Sequence, residues 1–205
     1  MKRIIYPLVV IVIVMTSCAK VYYSPDAKSL AMSHKTIAIM PPTVSIAARK
    51  KVDAESIKEQ QKTESANFQK EMYAWLLKRK MQGQFIVEFQ EIDYTNAMLR
   101  KEGYPDEPMT TSEICSLLNV DGLIRSNYAL SKPMSNGGAI ALAVLGGGAA
   151  ATNEARISLS ITDCSSGKLI FNYDHKLSGG MGSSSSSVVD GLLRRVSKKF
   201  PHSQY

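Results

Sequence analysis

Three cysteines, three histidines and a run of serines carry the reactive chemistry open to this chain of 205 residues. A structural zinc needs about four thiolate, imidazole or carboxylate ligands at ordered spacing, and His34, His175 and His202 stand isolated from one another in sequence. No metal site is expected. Nucleophilic catalysis needs a hydroxyl or thiol beside a base that a third group orients. Ser183, Ser184, Ser185, Ser186 and Ser187 could supply the hydroxyl, yet no Gly-x-Ser-x-Gly elbow surrounds them and no histidine has a recognisable partner. Ser166-Gly167-Lys168 has the ending of a phosphate loop without its spaced upstream glycine or the Ser or Thr that should follow. Asp and Glu are dispersed. The expected catalytic, cofactor-binding and metal residues are therefore none, and the chain is not expected to be an enzyme.

Cys18 is a separate case because of what precedes it. Lys2 and Arg3 form a short cationic start, residues 4–15 are apolar apart from Tyr6 and Pro7, and the small residues Thr16 and Ser17 lead directly to the cysteine. This is the layout of a secretory signal peptide whose apolar stretch falls short of the roughly 20 residues that a spanning helix wants. Met15-Thr16-Ser17-Cys18 resembles the bacterial lipobox, with Met15 in place of the commoner Leu. The resemblance implies cleavage before Cys18 and fatty-acyl chains such as palmitate on its sulfur and new amino group. Two or three chains make attachment effectively permanent, where one holds only reversibly. Ala19, rather than an aspartate, resembles lipoproteins sorted to the outer membrane, so a lipid-anchored, periplasm-facing body is expected.

Removal of residues 1–17 takes two basic residues and no acid with it, leaving 188 residues with a side-chain charge of +5. That length fits one domain with a working core. The positive balance is modest and no aromatic residues interleave with it, so nucleic acid is not an expected partner. Cys115 and Cys164 remain, and the periplasm permits a disulfide. Two cysteines make no framework, and buried free thiols are favoured over a bridge.

Residues 19–33 show little periodicity and read as a tether; the lipidated tether as a whole is expected over residues 18–34. Thr36, Ile37, Ala38, Ile39 and Met40 form a buried strand that should stop at Pro41-Pro42, which lack amide donors. Residues 43–52 then read as a loop with a basic tip. Residues 53–82 carry the longest helix signal: Asp53 to cap it, Phe68, Met72, Trp75 and Leu76 along one face, and Lys78, Arg79 and Lys80 in the last turn. The polar first half should project beyond the sheet, and Trp75 reads as core. Alternation at Phe85, Val87 and Phe89 gives a second strand after Gly83.

Short helices are expected over residues 94–101, with Asp93 as its cap, and over residues 114–118, with a cap from the Thr110 to Glu113 stretch. A third strand covers residues 123–130. Residues 137–151, GGAIALAVLGGGAAA, are too short for a spanning helix or a barrel hairpin. They read as an apolar loop that covers the fold or a neighbour, ahead of membrane insertion. Strict alternation through Ile157, Leu159 and Ile161, turn residues 163–168, and resumption at Leu169, Phe171 and Tyr173 make the clearest hairpin. A terminal helix from Ser187 puts Val189, Leu192, Val196 and Phe200 on one side, and Pro201 ends it.

The expected class is α/β (α+β), a mixed sheet of about five strands with helices packed on it, ending in a hairpin and a C-terminal helix. Residues 1–17 would be the signal peptide, 18–34 the lipidated tether and 35–205 a single periplasmic domain. Residues 36–42, 114–122 and 157–171 resemble three motifs of one group of envelope proteins. The group comprises the curli-secretion channel lipoprotein, the outer-membrane lipoprotein activators of penicillin-binding proteins, and the amino-terminal domain of the Tol translocation protein. The resemblance would cover residues 35–200 and implies a shared fold, with protein binding in the cell envelope. Two readings follow: a non-enzymatic periplasmic adaptor or assembly factor with an envelope protein as partner, or a subunit of an oligomeric outer-membrane secretion assembly. The membrane itself, through lipid on Cys18, is the other expected partner, and a homo-oligomer is compatible with either reading.

Overall fold

In a computed structural model, residues 19–47, 53–130, 153–179 and 185–204 are described. Their order is β1 (Lys20–Tyr23), α1 (Ala27–Ser33), β2 (Thr36–Ile39), β3 (Thr43–Ile46), α2 (Ala54–Met81), β4 (Glu88–Phe89), α3 (Ile92–Lys101), α4 (Thr111–Leu118), β5 (Gly122–Leu130), β6 (Asn153–Asp163), β7 (Leu169–Gly179) and α5 (Ser185–Val196), closed by a 3-10 turn at Ser197–Lys199. Seven strands form one mixed sheet in the order β1-β7-β6-β5-β2-β4, with β3 also alongside β5. The class is the expected one, and the strand count is larger.

β1 and β3 account for the difference. β1 lies antiparallel to β7 from Lys20 opposite Asp174 to Tyr23 opposite Phe171, and α1 buries Ala27 and Ala31 against the same core. Residues 20–33 are thus part of the body and no tether. β3 continues past the two prolines on the same neighbour that β2 uses. Ile39 stands opposite Ile124 and Thr43 opposite Asn127, four residues of advance on one side against three on the other. The surplus residue makes a bulge, where the missing proline amides are tolerated and the side-chain phase resets. Val44 and Ile46 therefore join Ile37 and Ile39 in the same buried cluster.

The long helix matches its sequence signal closely. Asp53 accepts from the Ser56 amide at its start, a cap that contributes about 1 kcal/mol. Phe68, Met72 and Leu76 are fully buried, each contributing about 1.5–3 kcal/mol by leaving water. Phe68 stacks on Tyr128 of β5 at 4.0 Å between ring centres. The helix residues before Glu64 are exposed or half-buried. Trp75 is half-buried, packs at the margin of the core, donates to Asp190 at 3.2 Å and carries Arg79 over its ring at 4.7 Å. α2 and α5 share one apolar cluster with the inward residues of β5, β6 and β7.

α3 and α4 cover the opposite face only at one corner, where Leu99, Ile114 and Leu118 meet Ala38, Met40 and Leu123. α3 begins after Glu91, with Asp93 inside its first turn and not at the cap. α4 starts with a reciprocal capping box between Thr110 and Glu113. The strand expected around residue 87 shrinks to the two residues of β4, although Phe85, Val87 and Phe89 are all buried.

Cys115 on α4 and Cys164 in the hairpin turn form a disulfide with Cα atoms 5.7 Å apart. The expectation of two free thiols is corrected, because the corner packing brings α4 onto the turn after β6, a proximity that a separation of 49 residues does not encode. Closing a loop of that length restricts the unfolded chain by about 4 kcal/mol. Replacing both cysteines with serine should lower stability by roughly that amount and remove the effect of reductant, as measured by urea unfolding with and without dithiothreitol; equal midpoints for the two proteins would contradict it.

Candidate functional site

His34, Asp163 and His202, separated by up to 168 residues, meet in one buried cluster. His34 sits at the C-cap of α1, Asp163 ends β6 just after a register shift between Ile161 and Thr162, and His202 follows Pro201 in the C-terminal segment. A register irregularity re-aims the side chains beyond it, and Asp163 turns inward. His34 Nε2 lies 2.8 Å from Asp163 Oδ1, and His34 Nδ1 lies 2.9 Å from His202 Nε2. In the tautomer that satisfies both contacts, Nε2–H of His34 donates to the carboxylate and Nδ1 accepts from Nε2–H of His202.

The second carboxylate oxygen accepts from the Ser165 hydroxyl at 2.8 Å and from the Ser166 amide at 2.7 Å and hydroxyl. Burial would raise the Asp163 carboxyl, but hydrogen bonds from Ser166, His34 and Ser165 outweigh it and hold the group well below the usual carboxylate range. Gly122, at the start of β5, is the floor of the cluster. A Cβ there would come within 2.9 Å of His34 Cε1 and Nδ1.

Among the described residues the order carboxylate, imidazole, imidazole has the outline of a proton relay without a reacting end. Both serines face the carboxylate and not an imidazole, and His202 Nδ1 is buried with no hydrogen-bond partner among the described residues. The cluster therefore works as a clamp that joins the end of α1, the hairpin turn and the C-terminal segment. Around it, Ser203 bridges to Phe85, the Gln204 amide donates to Gln84 O at 3.1 Å, and Lys28 Nζ donates to Ser203 O at 3.1 Å. His175 stands elsewhere, on β7, where its Nε2 accepts from Arg195 at 2.9 Å. No group of three or more His, Cys, Asp or Glu able to hold a metal occurs among the described residues.

The other candidate is the sheet face that α3 and α4 leave uncovered. Register places its side chains in rows: Tyr22, Asn172, Ser160 and Arg125; then Lys20, Asp174, Ser158, Asn127 and Thr43; then Lys176, Arg156, Ala129 and Ser45. The lower two rows line a groove of about 650 Å³. Sequence alternation marks these positions as polar and outward, but nothing in it says that the helices stop short of them. Of the residues singled out from sequence, Cys18 and residues 137–151 lie outside the described residues, as do Ser183 and Ser184. Cys18 is two peptide units before Lys20, a reach of at most about 7 Å.

The clamp sets an acid limit. Burial, then the neighbouring His34 and Lys28, push His202 down from 6.5 to about 3. Between those values the unfolded chain holds a proton on His202 that the folded chain refuses, so stability falls as the pH falls, by up to about 1.4 kcal/mol per pH unit. Asp163 adds to the loss below about pH 4, where its carboxyl protonates in the unfolded chain. Thermal melts should therefore shift downward steadily from pH 6.5 to pH 4, and the slope should flatten in His202→Gln; parallel pH profiles for the two proteins would remove the clamp as the cause.

No protein-family model and no curated protein matches the chain. It is similar to several solved structures. A lipoprotein from Neisseria meningitidis shares 10% identity over 80% of this chain and 96% of that chain, with a TM-score of 0.47. The PelC dodecamer from Paraburkholderia phytofirmans shares 12% over 92% and 99%, with a TM-score of 0.41. The LpoB C-terminal domain from Salmonella enterica shares 8% over 74% and 94%, with a TM-score of 0.34. One of them is a lipoprotein by its own description, as are members of the envelope group whose motifs the sequence resembles. At such identities the likeness concerns the general arrangement of elements, and nothing about ligands or partners follows from it.

Proposed function

We propose that the chain is a bacterial envelope lipoprotein, acylated on Cys18 after loss of residues 1–17, whose body is a non-enzymatic adaptor or assembly factor facing the periplasm from the outer membrane. The observation that carries the adaptor reading is the half-covered sheet. Helices bury the apolar face of β5, β6 and β7, while among the described residues the other face keeps a polar groove of about 650 Å³. Its polar side chains would lose hydration under a helix, so the face stays accessible to a partner.

Two further observations support the reading. Among the described residues, the His34, Asp163 and His202 cluster ends without a nucleophile hydrogen-bonded to its imidazoles. No described helix is long and apolar enough to cross a membrane, so attachment in this reading rests on the acyl chains of Cys18. With at most about 7 Å of chain between Cys18 and Lys20, the edge strand β1 would sit close to the headgroups.

Intact mass spectrometry of the membrane-extracted protein should show the chain beginning at Cys18 with added acyl mass. Cys18→Ser should move the protein from the detergent phase to the aqueous phase on Triton X-114 partition. An unmodified thiol on protein that washes free in buffer would end the anchor. Crosslinking in intact envelopes that captured no reproducible protein would end the adaptor.

A further inference from the structure

We infer that the edge of the sheet beside Cys18, formed by β1 with the end of α5 and the 3-10 turn after it, is a contact surface for the phosphate headgroups of an anionic bilayer; this rests on the anchor reading and names the lipid chemistry that the anchored body faces. Register supplies the geometry. β1 is the outermost strand on its side of the sheet, and Val21 stands opposite Tyr173 of β7, so Ala19 comes level with His175. Two cations lie along the same line. Lys199 Nζ is 5.8 Å from the centre of the Tyr173 ring, and Arg195 Nη1 donates to His175 Nε2 at 2.9 Å. The step from Tyr173 to His175 is about 6.6 Å along the strand, and it runs toward residue 18. Cys18 is one peptide unit beyond Ala19, a reach of at most about 3.8 Å. Headgroups occupy about 5–7 Å on each side of a bilayer core, so acyl chains on Cys18 would bring Arg195 to the depth of the phosphates.

Charge decides the sign of the partner. Arg195 and Lys199 are exposed, one donating to an imidazole and the other lying over a tyrosine ring, and neither has an acidic partner among the described residues. Nearby carboxylates are engaged elsewhere. Asp190 accepts from Arg194 at 2.6 Å and from Trp75 at 3.2 Å, Asp26 from Lys168 at 2.8 Å, and Asp174 from Asn172 at 2.8 Å. Residues 1–18, 48–52, 131–152 and 180–184 contain no Asp or Glu, so none of them can supply a carboxylate side chain. His175 registers the field, because burial, then Arg195 and Lys199, push its pKa below the usual imidazole value. Tyr22 and Tyr23 favour lipid over a dissolved anion. They are 50% and 46% exposed on opposite faces of the outermost strand, and the Tyr23 hydroxyl donates to Lys199 O at 2.6 Å, so rings and cations share one rim. Tyrosine concentrates at headgroup depth, where Lys and Arg stems lie on apolar surface with their charges in the polar layer. A dissolved anion would use the cations alone.

The test uses the full-length protein extracted in an uncharged detergent, adds phosphatidylglycerol, phosphatidylcholine or inorganic phosphate, and counts bound lipid by native mass spectrometry. Phosphatidylglycerol should form saturable adducts at concentrations where phosphatidylcholine forms none. Arg195→Gln with Lys199→Gln, which keeps a donor for His175, should weaken them by at least about tenfold. The exchange Arg195→Lys with Lys199→Arg keeps both charges and should retain them. Arg100→Ala with Lys101→Ala, an equal loss of charge at the exposed end of α3, should leave binding intact. Melting temperatures check that each variant folds; should Arg195→Gln lower its own, Lys199→Gln alone carries the test with a loss of about fivefold.

Equal weakening by the Arg195/Lys199 and Arg100/Lys101 pairs would reduce the effect to overall charge and overturn the surface. Inorganic phosphate that displaced phosphatidylglycerol at matching concentration would assign a free-anion site and overturn it too. The same spectra give the mass at residue 18. Acylated protein without headgroup preference would leave the anchor standing and remove the surface, whereas adducts on protein that carries no acyl chains would leave the surface standing and remove the anchor.

Discussion

Two-residue alternation along β5, β6 and β7 is the constraint on which the rest of the molecule depends. Antiparallel register brings Tyr128, Ile157 and the neighbouring apolar residues to one side of the sheet and Asn127, Ser158 and Asp174 to the other. A slip of one residue would exchange the two sets. The helices follow from that division. α2 and α5 supply Phe68, Met72, Leu76, Val189, Leu192 and Val196 to the apolar side, and no comparable stripe is left for the polar one. The small second cluster around Leu99, Ile114 and Leu118 serves only the corner where Ala38, Met40 and Leu123 reverse the polarity.

That corner is also where the chain is tied most tightly. The disulfide joins α4 to the hairpin turn, and the His34–Asp163–His202 cluster joins the same turn to α1 and to the C-terminal segment. Asp121 adds a third tie, accepting from the amides of Lys35 and Thr36 at 2.7 and 2.9 Å. Covalent, charge-assisted and backbone ties thus meet beside β5.

What the sequence disclosed was whatever is local. Asp53 at the start of α2, the Thr110 and Glu113 pair at α4, Gly167 with φ of +67° in the hairpin turn, and the apolar side of α5 each act within a few residues of their partners. Contacts of long range left no such mark. His34 meets His202 across 168 residues, and nothing in their flanks differs from that of an ordinary core histidine. β1 is four residues long with mostly exposed side chains, so no periodicity could develop. β3 was hidden by a sound rule applied too strictly. Prolines do end ladders, yet a bulge at Met40, Pro41 and Pro42 lets this one resume on β5. The groove was hidden for a different reason, since alternation tells which residues point outward but not whether a helix will later cover them.

The position of β1 has a mechanical consequence. Because β1 starts at Lys20 and pairs at once with β7, there is almost no slack between residue 18 and the sheet. A pull along the amino terminus would load four pairs of residues side by side, so the whole ladder would share the strain. Held through Cys18 as proposed, the molecule would behave as a bracket, transmitting force and orientation from its point of attachment into the sheet.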